Sequence, residues 1–426
     1  MFIKSLSPAV FSRTMLGLAA LALVTAACPG GDTTKKIGVV LPLTGDDASY
    51  GVSIREGLEV GLEAVNARED ILFPFTLDIQ DSGSSAEGAV TALDTAISGS
   101  MAVIGGATSS EALALVPVVE RADKVLISPT ASSPELSGAS QNFFRIFPNS
   151  DAEAVAITQL LREKDWLQPE MVVALQAEDD YSAGAVSALM AKLDEGTETA
   201  TITFPVGSTD LSAQAAEAIA SFGEGDDAKK GIVFVGARGG DLVTAVKALR
   251  DGGWSENSNW IFVTSAVSSP DVMGPLGNYA SRLFFVQGAY DPNSDQEPVA
   301  SFVQAYETKF GKKPDLSAAH GYDAIQVLAQ AVIERALPNP LPSDLLPGMR
   351  AISNYTGVTG TIQFRESGDV QKFARVYYVN DTDAGREVVD YNEWEKQRLD
   401  DARRRMEEIR KKEEELNRRL RQMENG

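Results

Sequence analysis

Ile37-Gly-Val-Val-Leu-Pro-Leu43 is an uncharged, β-branched run of strand length, followed by Ile54, Leu58, Leu62 and Val65 at i, i+4, i+8 and i+11, one apolar face of a helix. A buried strand followed by an amphipathic helix is half of a βαβ unit. The alternation continues through Phe75–Gln80, Met101–Gly106 and Val125–Ser128. It restarts after Ser150 with strand-like Met171–Leu175, Thr201–Phe204, Ile232–Val235 and Trp260–Val263, and helical patterns near 182–194, 211–222 and 240–250. The expectation is an α/β protein of two doubly wound lobes. Phe284–Gln287, a helix pair over about 298–336, Gly360–Phe364 and Arg375–Val379 are too few for a third domain, so they are expected to return and complete the first two. No repeat of solenoid period and no low-complexity segment interrupts the body.

The composition agrees with a folded body of this size. The chain has 426 residues, 44% apolar and 23% charged, too many for a single core. Its net charge of -22 would repel a phosphate backbone, so a nucleic-acid partner is not expected. One cysteine, Cys28, rules out an internal disulfide framework, and one histidine, His320, rules out a His-rich zinc site. No nucleophile stands beside a base, and Gly105-Gly106 is not a dinucleotide fingerprint. Neither an enzyme nor a bound cofactor or metal is expected. His320, before Gly321-Tyr322-Asp323 in a helical pattern, reads as an ordinary helix residue.

Residues 1–27 carry Lys4 and Arg13, no acid, and the apolar stretch from Met15 to Val24. That run is shorter than the roughly 20 residues a permanent membrane helix needs, which is the layout of an export signal. Small residues before Cys28 resemble the lipobox of bacterial lipoproteins, although Thr25 stands where that motif more often has Leu or Val. Cys28 is therefore expected to carry a lipid anchor, with ordinary cleavage near Ala26 as the alternative, and residues 28–35 to act as a tether. At the other end, Leu399, Ala402, Met406, Ile409, Leu416, Leu420 and Met423 keep 3-4 spacing interrupted by Glu413. This is a coiled-coil pattern, open to three readings: a solitary charged helix, self-association or docking onto a partner helix, or a fusion artefact.

Further motifs lie between these ends in a fixed order: Ile37 to Gly51 with Glu56-Gly57 and Asn66, Ile104-Gly-Gly-Ala-Thr-Ser-Ser110, Ile127 to Leu136, Phe144-Arg-Ile146, Asp180-Tyr181, and Phe204 with Thr209-Asp210. Together they resemble the solute-binding proteins of branched-chain amino acid ABC transporters, over about residues 36–390. The resemblance implies the type I periplasmic-binding, Venus-flytrap fold, with three hinge crossings and closure on a small solute delivered to ABC permease subunits. The lobes would be 36–147 with 287–364, and 148–286 with 365–390, followed by the helix at 391–426. The place would be the periplasm or outer cell surface.

Ser109 and Ser110 follow a strand and open a helix whose free amides, with two hydroxyls, offer a neutral cradle for a carboxylate; simple N-capping is the alternative. The resemblance puts Ala107, Ser109, Ser110, Thr130 and Ser132 at the ligand. Thr130 would use its backbone and Ser132 its hydroxyl toward an ammonium. Tyr50 and Tyr181 would be aromatic walls. The second lobe departs from the family: no aromatic follows Gly236-Ala237-Arg238, and Thr264-Ser265 stands where a carboxylate is usual. Ser265 is kept as a candidate for its hydroxyl. Arg238 is open between a ligand anion and a solvated pair with Asp241, and Asp46 and Asp47 read as solvated loop acids.

Overall fold

A computed structural model describes residues 34–254, 260–335, 339–383 and 385–424. Cys28 and the expected signal lie outside the described residues. The chain runs β1 (Lys35–Leu41), α1 (Ala48–Asn66), β2 (Phe75–Asp81), α2 (Ala86–Ala96), β3 (Ala102–Gly105), α3 (Ser109–Arg121), β4 (Leu126–Ser128) and β5 (Phe143–Arg145). These five strands form one parallel sheet in the order β2-β1-β3-β4-β5. Ile37, Val39 and Leu41 point to one core and Val40 to another, because a central strand covered on both faces needs apolar side chains at every position.

The chain continues through α4 (Ser150–Glu163), β6 (Met171–Ala177), α5 (Asp180–Met190), β7 (Glu198–Phe204), α6 (Ser212–Ala220), β8 (Gly231–Gly236), α7 (Gly239–Asp251), β9 (Trp260–Val263), α8 (Pro270–Leu276) and β10 (Leu283–Gly288). Three helices follow, α9 (Val299–Phe310), α10 (Leu316–Glu334) and α11 (Pro342–Ala351), then β11 (Tyr355–Gly357), β12 (Gly360–Ile362), β13 (Ala374–Thr382), β14 (Gly385–Asp390) and α12 (Tyr391–Glu424). The second sheet has seven strands, β14-β13-β10-β9-β8-β6-β7, with β13 antiparallel to β10. β12 hydrogen-bonds with β11 in a two-stranded ribbon rather than with either main sheet, and its Ile362 is buried in the first core.

The chain passes between the sheets after β5, after β10 and before β13. Arg145 fastens the first passage to the third. It is fully buried, and its guanidinium donates to the Asp369 carboxylate at 2.6 Å, the Ser133 carbonyl at 2.7 Å and the Ser137 hydroxyl at 2.6 Å. Ser367 donates to the other Asp369 oxygen at 2.7 Å. The segment entered by the second passage covers the first sheet, where α10 lies directly on α1. A Cβ at Gly57 would stand 1.9 Å from the Ala318 carbonyl, and one at Gly321 would stand 2.3 Å from that of Ile54. Only glycine allows this approach, which sets the start of α10 beside the start of α1.

The first turn of α12 is seated on the second sheet. Tyr391 is buried, the Trp394 ring lies tilted against that of Tyr378 at 5.3 Å, and Glu395 pairs with Lys164. Beyond it Leu399, Met406, Ile409 and Leu416 are exposed.

Candidate functional site

A cleft of about 160 Å³ lies between the sheets, at the carboxyl ends of their parallel strands. Its first-sheet wall includes Tyr50 of α1, Ala107 and Ser109 at the start of α3, and Thr130 after β4. Its second-sheet wall includes Tyr181 of α5, Arg238 before α7 and Ser265 after β9. Seven of the nine sequence-derived binding candidates therefore meet in one place, although they come from loops far apart in the chain.

The start of α3 is shaped by a capping box. Thr108, not either serine, is the N-cap: its hydroxyl accepts from the Glu111 amide, and the Glu111 carboxylate accepts from the Thr108 amide. A helix start leaves four amides without intrahelical acceptors. The box takes two and leaves those of Ser109 and Ser110, of which Ser109 lines the cleft. The Thr130 hydroxyl donates to the Ala107 carbonyl at 2.7 Å, and the Ser109 hydroxyl accepts from the Ser133 amide at 3.2 Å. These bonds make the loop a rigid cradle.

Two candidates do not reach the cleft. Ser110, in the first turn of α3, lies outside the lining and beside the Thr108 hydroxyl. Ser132 is fully buried, and its carbonyl and hydroxyl both accept from Ser150, so it holds the start of α4 rather than facing the cleft.

The charges are arranged differently from expectation. Arg238 pairs not with Asp241 but with Asp47, at 2.5 Å, and so joins the two walls across the cleft. Asp47 is not a solvated loop acid, and Asp46 also lines the cleft. Burial alone would lower the Arg238 pKa, but Asp47 and Asp179 outweigh it and hold it above the ordinary arginine value. Burial likewise pushes both cleft phenols upward, against hydrogen bonds to Thr130 at Tyr50 and to Ser265 at Tyr181. Tyr181 Oη lies 3.4 Å from Ser265 Oγ.

Glu153 of α4 is buried behind Ser265, and one of its carboxylate oxygens has no hydrogen-bond partner among the described residues. Burial raises its pKa from 4.5 to about 8, against a bond from Ser265 and the charge of Arg145. Between these two values the unfolded chain has lost this proton and the folded chain keeps it, so stability from this group falls as pH rises from about 4.5 to 8. Glu153→Gln is expected to flatten that decline and to be more stable near pH 8 by on the order of 1–3 kcal/mol. Urea denaturation at several pH values checks this, and parallel pH slopes for the two proteins would refute it.

His320 is corrected too. It lines the cleft from the second turn of α10, its ring 5.1 Å from that of Phe147 in the first passage. The sequence held one usable signal for it: a polar residue on an apolar helix face among Ala318, Ala319 and Ala324. Among the described residues no group of three or more His, Cys, Asp or Glu side chains is placed to hold a metal ion.

A two-lobed α/β body with a cleft between its sheets is the architecture of a solute receptor. A family model described as periplasmic binding protein matches residues 34–386, and the chain belongs to that family, whose members bind solutes and are not enzymes. It is 24% identical over 375 residues to Leu/Ile/Val-binding protein homolog 1 of Brucella abortus (strain 2308), covering 86% of this chain and 95% of that one. Its fold is similar to that of the leucine binding protein LivK of Thermotoga maritima, with a TM-score of 0.72, 24% identity, and coverage of 84% and 99%. It is likewise similar to the branched-chain amino acid transporter substrate binding protein LivJ of Streptococcus pneumoniae in complex with isoleucine, with a TM-score of 0.71, 22% identity, and coverage of 84% and 99%.

Proposed function

We propose that this protein is the extracytoplasmic receptor of an ABC importer, anchored through a lipid on Cys28, that closes on a small amino-acid-like or carboxylate solute and presents the closed form to the permease. The observation that carries this is the cleft itself, with the start of α3 on one wall and Tyr181 and Arg238 on the other. A carboxylate at the Ser109 amide, at the start of α3, would gain a hydrogen bond and a favourable helix dipole without a fixed cation. The second-lobe groups would then close over it, and binding stabilises closure by as much as it favours the closed form over the open one. The names of the relatives point to the same solute class. Native mass spectrometry of the Cys28→Ser protein, with thermal shifts against amino acids and small carboxylates, tests the reading. A ligand at about 100 times its Kd should stabilise by roughly 2.7 kcal/mol. A flat response across both classes would overturn the proposal.

A second reading, ligand sensing through a helix partner, rests on α12 and its exposed Leu399, Met406, Ile409 and Leu416. With Leu399 at position a, Arg398, Arg405, Lys412 and Arg419 occupy g, and Arg403 and Arg410 occupy e. A second copy would set arginine against arginine along this seam, whereas a helix with acidic flanks would complement it. Sedimentation equilibrium is expected to show the full chain as a monomer. A dimer that dissociates on truncation after Tyr391 would show instead that the seam pairs with itself.

A further inference from the structure

His320 is the chain's only histidine and is fully buried at the cleft. Its Nδ1 lies 2.8 Å from the Leu316 carbonyl, one turn earlier in α10. A carbonyl oxygen only accepts, so Nδ1 carries the proton and Nε2 presents a bare lone pair. Among the described residues nothing bonds to that Nε2. Burial holds the ring neutral, its pKa lowered to about 3. On the second passage Gly288 brings no side chain to this nitrogen, since a Cβ there would stand 3.8 Å from Nε2, in van der Waals contact with it. The charges nearby are mixed: Asp271 and Asp315 line the cleft, Arg238 there is engaged by Asp47, and the charge of Lys372 adds to burial in keeping the ring unprotonated.

We infer that the solute carries an N–H or O–H donor that lodges on Nε2 of His320, and that this acceptor selects against purely aliphatic side chains. The inference rests on the solute-binding reading above and specifies its ligand. A methyl group placed at Nε2 would leave a desolvated acceptor without a donor, which lowers affinity on the order of 10- to 100-fold relative to a donor-bearing isostere. Sites that hydrogen-bond a ligand discriminate more sharply than sites that merely enclose it.

A single histidine makes the test direct. In protein labelled with ¹⁵N-histidine, the two ring nitrogens give assignable signals without interference. The free protein is expected to show the Nδ1–H tautomer, and an Nε2–H tautomer would overturn the inference. Two near-isosteric pairs, threonine with valine and asparagine with leucine, are then titrated. The donor-bearing member is expected to bind at least about 10-fold more tightly and to move the Nε2 signal. His320→Asn keeps a donor near the Nδ1 position and removes the Nε2 acceptor, so it should erase the preference within each pair. His320→Gln, which restores a polar atom near Nε2, should recover part of it. Preference retained in His320→Asn, or a solute that binds without moving Nε2, would sink the inference. Were neither pair to bind, the amino-acid part of the proposed function would fall. The Nε2 signal would then be followed with lactate against propionate, where binding of lactate with an unmoved signal overturns the inference by itself.

Discussion

Asp369→Ala is expected to lower the stability of the protein by about 3–5 kcal/mol, because it leaves the fully buried Arg145 guanidinium without its anion. A charge taken out of water is tolerated only while a partner and hydrogen bonds replace the solvent, and among the described residues Asp369 is the carboxylate paired with this guanidinium. Asp369→Asn keeps an acceptor but not the charge and should lose less. An exposed pair gives the contrast: Arg162 and Asp194, 50% and 63% exposed at 2.7 Å, should contribute under about 1 kcal/mol on removal. Urea midpoints of the three variants, followed by circular dichroism, check the ranking. Equal losses for Asp369→Ala and Arg162→Ala would refute the role given to the buried pair. Since Arg145 and Asp369 join two of the three passages between the sheets, looser lobe orientation is expected in the same variant.

The Asp47–Arg238 pair should have the next largest effect, on closure rather than on folding. Its two members come from opposite walls of the cleft and meet at 2.5 Å only when the walls are close, with side chains 16% and 26% exposed. Arg238→Met and Asp47→Asn are each expected to shift the ligand-free protein toward an open form, at a cost of about 1–3 kcal/mol to the closed one. Small-angle scattering would register this as a larger radius of gyration. The double variant should be no more open than either single one, since both remove the same contact. Unchanged scattering in both single variants would show that the pair does not bias closure.

Much of the fold was legible before any coordinates. The β1 run and the α1 face at Ile54, Leu58, Leu62 and Val65 carry the periods of strand and helix, and burial on both sheet faces demands the apolar composition read there. Harder to read were segments whose pattern is local but whose partner is distant. Gly360–Phe364 has the composition of a strand, yet the hydrogen bonds of β12 go to β11, a choice made by the turn between them. Nor was α11 anticipated, and Pro347 inside it shows why: propensity argues against a helix there, and packing of Leu345 and Met349 into the first core overrides it.

The cleft divides in the same way. Composition and spacing by themselves determined that the chain is a two-lobed α/β protein with no catalytic constellation, and motif order pointed to the loops at Ala107, Thr130 and Tyr181. Which side chains in those loops face one another was decided by tertiary structure alone. Ser132 turned away to hold Ser150, Asp47 left solvent to meet Arg238, and His320 became a cleft residue. The reason is physical. Periodicity records whether a residue is buried, but the partner of a charge or a lone pair is set by where loops come to rest in space, as with Asp47 and Arg238, 191 residues apart, and that follows from the packing of α1 on α10 and of the sheets on their helices.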